Sequence, residues 1–242
     1  PIYAMATIGL CMLVTIWKID DTIFYVIPSI ISGFIFGLLI EKQFPSFWII
    51  FITTIVQIGF TYASIPLIKV MVGRNIVTDF ATIFSLQDFE YLDYVVPCFI
   101  FFISLAQEII AFIIIRNELP KFGYELNDPK HLPLSLFISL ASSSVLAFIF
   151  MFVYGPLGYL FTLFSLFFGI YAIGYLINDR NLFVYIALPS SLILSIFLFA
   201  GLYSLADKPN GLIFINIFFF TEAIIVLINN YLLKRRKIDT IK

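Results

Sequence analysis

Residues 94–115 read "YVVPCFIFFISLAQEIIAFIII". One residue in this stretch, Glu108, carries a charge. A run of about 20 mainly apolar residues is long enough to cross a bilayer as a helix. The surrounding chain is of the same kind. It is 62% hydrophobic and 12% charged, with a mean hydropathy of +1.06. A soluble domain is about half apolar and a quarter charged, so this chain has too few charges to cover a soluble surface. The composition is that of an all-α, polytopic membrane helix bundle, read as a single transmembrane domain over 1–242.

Working outward from that stretch, eight spans are expected: 2–17, 22–40, 47–68, 94–115, 134–153, 158–177, 182–204 and 211–233. Short polar turns separate most of them: "KIDD", "EKQFPS", "NDRN" and "LADKPN". The uncharged break "YGPLG" carries Gly-Pro, a strong turn signal. Merging the spans on either side of it would leave six spans plus a re-entrant hairpin, with the termini unchanged. The first span exceeds a signal-peptide core and lacks both a basic leader and an A-x-A site, so it is expected to be retained.

Basic residues favour the cytoplasmic side of membrane proteins. With eight spans and both termini inside, that side holds ten: Lys42, Arg116, Lys121, Lys130, Arg180, Lys234, Arg235, Arg236, Lys237 and Lys242. The other side holds four, Lys18, Lys69, Arg74 and Lys208. The split predicts N-in, C-in topology in the plasma membrane, with a basic cytoplasmic tail from 234. Segment 69–93 then lies outside. It alternates apolar and polar residues, includes Asp79, Asp88, Glu90 and Asp93, and reads in part as an amphipathic interfacial helix. The inner loop "RNELPKFGYELNDPKHLP" has three prolines and reads as a short structured connection.

Several chemistries lack their parts. Formal net charge is −1, so no bulk attraction to nucleic acid is expected. Cys11 and Cys98 lie in apolar runs, and His131 is the single histidine. No metal or cofactor site is expected, and no HExxH, GxSxG, P-loop or paired-aspartate motif is present.

The intramembrane polar residues remain. Glu108 lies fourteen residues past Tyr94, about 20 Å along a helix. A charge at that depth costs at least ~2.5 kcal/mol. The carboxyl is therefore expected to hold a proton, pair, or face a polar cavity. Ser104, Gln107, Glu108 and Ala111 share one helix face. Thr53, Gln57, Thr61 and Ser64 form a matching stripe, with Thr54 beside it. Ser135, Ser139, Ser142 and Ser143 form another. Glu222 is a second intramembrane acid, with Asn229 seven residues on. Pro189, followed by two serines, reads as a break in its span. Ser29, Gly33 and Gly37 read as a small-residue packing ridge. Hydroxyl stripes in lipid commonly pack helix against helix, whereas intramembrane acids mark ion, proton or substrate sites, or hold a partner. No Lys, Arg or His falls at mid-span to neutralise them.

Two function classes fit. The first is a small-solute permease, or the substrate-binding membrane subunit of a transporter complex. Its expected site comprises Glu108, Gln57, Glu222, Ser104, Gln107, Thr61 and Asn229, and any pumping requires a separate ATP-hydrolysing subunit. The second is a non-catalytic assembly or anchoring subunit beside a partner membrane chain. A membrane-embedded enzyme ranks third, because no nucleophile accompanies the acids.

Overall fold

The computed structural model describes residues 22–83, 92–124, 126–129, 132–178, 182–205 and 212–239. The described residues are 91% helical, with no strand among them. A π-helical turn, Thr22–Val26, leads into α1 (Ile27–Glu41). Then follow α2 (Ser46–Val72), α3 (Ile76–Ile83), α4 (Leu92–Glu118), α5 (Leu134–Val153), α6 (Gly155–Asn178), α7 (Leu182–Leu205) and α8 (Leu212–Asp239). Among the described residues seven helical stretches are long and apolar enough to cross a membrane, those of α1, α2 and α4 to α8. Their outward faces are apolar: Phe197 is 70% exposed and Val153 is 72%. A soluble protein rarely exposes such a surface. The chain is an integral, multi-pass membrane protein with an all-α bundle fold. The expected span 2–17 lies outside the described residues.

Local chemistry sets the helix ends. α2 starts after Pro45, where the Asp128 carboxylate accepts hydrogen bonds from the Ser46 backbone N–H (2.8 Å) and hydroxyl (2.6 Å). This satisfies an N–H that a helix start leaves without a partner. α2 ends at Gly73, whose φ of +74° is left-handed and whose N–H returns to the Lys69 carbonyl. After α4 a 3₁₀ turn, Leu119–Phe122, closes on Gly123 at φ +76°. Downstream, α6 begins at Gly155, so Pro156 falls in its first turn, where a missing N–H is harmless.

The chain divides into two compact units, Pro1–Asp128 and Pro129–Lys242. In the first, α2 packs against α1 and α4, and α3 lies against α2. Phe36 of α1 meets Phe112 of α4 with ring centres 6.1 Å apart, and Phe80 of α3 meets Phe99 of α4 at 4.8 Å. In the second unit α5 and α6 form a hairpin, and α8 packs on α5, α6 and α7. Phe150 and Phe161 stack across the hairpin at 5.5 Å. Gly158 makes the close approach work: a Cβ there would sit 2.7 Å from the Met151 backbone nitrogen.

The two separate spans expected around "YGPLG" are present, and three other sequence expectations change. α5 and α6 have 20 and 24 residues, about 30 and 36 Å at 1.5 Å per residue. Each is long enough to cross, so a re-entrant hairpin is not needed. α7 continues through Pro189 as one helix, so its span is not broken. The serine stripe of α5 does not face inward: Ser135 and Ser142 are exposed, and the buried serines are Ser143 and Ser144. The Ser29–Gly33–Gly37 ridge is also exposed, with no described residue within 4 Å of a Cβ added at either glycine. A hydroxyl can bond a carbonyl of its own helix, as Ser139 does to Ser135 and Ser29 does to Tyr25. Such residues need no neighbouring helix.

Candidate functional site

A cavity of about 410 Å³ opens in the first unit. Its polar floor comes from two helices. Gln57 and Thr61 project from α2, and Ser104 and Gln107 from α4. Thr61 lies eleven residues before the end of α2 and Gln57 fifteen, about 16 and 22 Å from that end. The polar groups are therefore at membrane depth. The Gln57 side-chain amide donates a hydrogen bond to the Gln107 carbonyl oxygen, joining α2 to α4 at the floor.

The walls are apolar and aromatic, with Phe24, Tyr25, Phe80 and Phe99 among them. The short helix α3 supplies one wall. Its Ile76, Val77, Phe80 and Ile83 line the cavity, while Asn75 caps its start by accepting from the Val77 N–H at 3.2 Å. The expected amphipathic helix in 69–93 is thus α3. Residues 84–91, including Asp88 and Glu90, lie outside the described residues. On the cavity lining the two charges are Arg74 and Asp79, which pair with each other: Arg74 Nη2 and Nε donate to Asp79 Oδ2 at 2.9 and 3.2 Å.

Glu108 is buried beside this site but is not on its lining. Its carboxyl lies near the Ser32 and Thr53 hydroxyls. Those hydroxyls already donate to their own helices, Ser32 to the Ser29 carbonyl at 3.0 Å and Thr53 to the Ile49 carbonyl at 2.8 Å. Three helices therefore converge on one carboxyl: α1, α2 and α4. Ser32 was not singled out from the sequence. Its signal was available, because it interrupts the apolar stripe of Pro28, Phe36, Leu39 and Ile40 on the buried face of α1.

Four of the seven expected site residues thus line one cavity, and Glu108 lies next to it. The other two, Glu222 and Asn229, belong to the second unit and are fully buried on α8. Neither oxygen of Glu222 has a hydrogen-bond partner among the described residues. The side chain lies against α6 at Gly169, where an added Cβ would come 3.1 Å from Glu222 Oε2 and 2.2 Å from Phe219. Asn216 donates to the Thr162 hydroxyl at 2.9 Å, and its own carbonyl oxygen has no partner among the described residues. Between these levels, the Ser165 hydroxyl donates to Ser143 at 3.1 Å and lies 3.4 Å from Ser144. Ser195 and Thr221 meet at 3.3 Å between α7 and α8.

No group of three or more His, Cys, Asp or Glu among the described residues could hold a metal ion. The cavity floor has the chemistry of recognition: hydroxyls and amides that donate and accept hydrogen bonds without net charge. No family model matches the sequence, and no curated protein or solved structure matches it.

Proposed function

We propose that the protein is a small-solute permease, or the substrate-binding membrane subunit of a transporter complex. The observation that supports this reading is the cavity of about 410 Å³ with an amide and hydroxyl floor at membrane depth. Small-molecule sites are commonly about 300–1,000 Å³, mostly apolar, with a few placed polar groups. In this reading α3 and the cavity mouth face outward, both termini are cytoplasmic, and the chain resides in the plasma membrane. The motive for that orientation is the ten-to-four split of basic residues. Glu108, behind the floor, couples occupancy of the cavity to the packing of α1, α2 and α4.

The test is aqueous access. Thr61→Cys is placed in a background lacking Cys11 and Cys98 and reconstituted in liposomes. A small uncharged, water-soluble reagent, 2-hydroxyethyl methanethiosulfonate, should modify it. Ile49→Cys, fully buried in the same unit, sets the background rate. A Thr61→Cys rate no higher than this background would remove the solute-site reading.

One observation favours the second class, an assembly or anchoring subunit. The Ser29–Gly33–Gly37 ridge is exposed, with no described residue within 4 Å of a Cβ added at either glycine, and small residues let a partner helix approach closely. Cross-linking through Gly33→Cys in native membranes distinguishes the two: a partner chain captured there, with Thr61→Cys unreactive, supports the assembly role.

A further inference from the structure

The cavity also carries information about what it holds, on the reading that it is a solute site. We propose that its ligand is an uncharged ring compound bearing a cyclic amide or primary carboxamide, read by the Gln57–Gln107 pair.

Charge sets the first limit. Arg74 and Asp79 compensate each other across 2.9 Å, and the floor residues Gln57, Thr61, Ser104 and Gln107 are neutral. An ionic solute would lose its hydration and meet no uncompensated counter-charge among the described lining residues, which is unfavourable at membrane depth. A neutral solute meets no such barrier.

The walls set the second limit. Phe24, Tyr25, Phe80 and Phe99 offer ring faces and edges, and the aliphatic positions between them offer contact without direction. Aromatic side chains prefer offset-stacked or edge-to-face partners. A flat, mostly apolar body therefore suits the upper cavity.

The floor supplies the specific element. A primary amide has two N–H donors and a carbonyl with two lone pairs. The contact between the pair uses one N–H of Gln57 and one lone pair of Gln107. It leaves Gln57 with a carbonyl oxygen beside a second N–H, and it leaves the Gln107 nitrogen as a donor. An acceptor beside a donor is the complement of the N–H and C=O of a lactam or carboxamide. The pairing also holds both amides in one orientation, which lowers the ordering needed on binding. Ser104 and Thr61 flank the pair with hydroxyls that take either role. A site built to bond such an edge rejects an analogue lacking it far more strongly than an apolar pocket rejects a missing methylene.

The experiment uses the full chain in lipid nanodiscs and three probes of one shape: 2-quinolinone, naphthalene and 2-naphthoate. Binding is measured by equilibrium dialysis against empty nanodiscs. The expected result is that 2-quinolinone binds at least tenfold more tightly than naphthalene, with 2-naphthoate weakest. Gln57→Leu should weaken 2-quinolinone about tenfold and leave naphthalene unchanged. Gln107→Leu, at an exposed side chain, repeats the test should Gln57→Leu fail to fold. Equal binding of 2-quinolinone and naphthalene overturns the proposed ligand class. If Ser104→Trp then blocks both probes, the cavity is still a solute site. No binding by any probe also overturns the class, and the Thr61→Cys labelling decides whether the solute-site reading fails with it. Preferential binding of 2-naphthoate would overturn the charge argument.

Discussion

The sharpest consequence concerns Glu222. Its carboxyl is fully buried between α8 and α6, and both oxygens lack a partner among the described residues. Leaving a buried polar group unbonded costs about 1–3 kcal/mol, and more for a charged group. Replacing it with an apolar chain of similar length removes that penalty, and methionine is the most adaptable choice because it is unbranched. Glu222→Met is therefore expected to stabilise the protein by about 1–3 kcal/mol. Glu222→Gln should do little. Its new N–H groups need acceptors, and the other buried unpartnered acceptor, Asn216 Oδ1, is on a residue six positions away on α8, about 9 Å along the axis. The assay is thermal unfolding of the three proteins in one detergent, followed by loss of near-ultraviolet circular dichroism. For a chain of this size a gain of 1 kcal/mol corresponds to about 2–4 °C. A parallel transport or binding assay separates the causes. Natural proteins keep destabilising groups where function needs them, so Glu222→Met should melt higher and work worse. A variant that melts lower by more than about 1 kcal/mol equivalent would refute the reasoning: it would mean that something outside the described residues satisfies the carboxyl. A variant that melts higher and retains full activity would remove Glu222 from the functional residues.

The other expectations are simpler. Asp128→Ala should destabilise by about 1–2 kcal/mol in the same melts, because it strips the bonds that cap α2, and Asp128→Asn should recover most of that. Gly158→Ala should destabilise by about 1–3 kcal/mol, since the added methyl meets the α5 backbone, which cannot rotate away like a side chain; a neutral result would show that the α5–α6 hairpin opens easily. Glu108→Gln should express and melt near the parent, because it keeps the length and polarity of the side chain beside Ser32 and Thr53, but should lose solute binding or uptake; unaltered activity would assign Glu108 to packing alone.

Hydropathy made the span structure legible, because length and composition alone determine whether a helix can cross lipid. The ends were less legible. α2 was expected to stop near 68 and runs to Val72, because Pro66 sits inside the helix without ending it and the stop is Gly73. α6 was expected at 158 and begins at Gly155: Gly-Pro reads as a turn, but its proline is tolerated in a helical first turn. The polar floor was visible as two facing stripes. The amphipathic helix within 69–93 was legible too, from its alternation of apolar and polar residues; which of its side chains line the cavity was not.

The candidate site shows which polar residues carry orientational information in a membrane helix and which do not. A serine or threonine hydroxyl can donate to the carbonyl three or four residues back, so it is satisfied wherever it points. Thr53 and Thr54 do this and are buried; Ser29 does it and is exposed. Hydroxyl spacing therefore says little, and the stripe of α5 misleads for that reason. Carboxyl and carboxamide groups reach past their own backbone and have more bonding capacity to fill. Glu108, Gln57, Asn216, Glu222 and Asn229 are all buried. Gln107 is exposed, and it is tied to Gln57 across the two helices. In lipid, long polar side chains must find one another, a cavity or a ligand, so they mark the interior even when the hydroxyls around them do not. The ligand-reading role proposed for Gln57 and Gln107 follows the same logic: two amides joined to each other at the floor of a polar cavity still have bonding capacity that only a bound solute or water can fill.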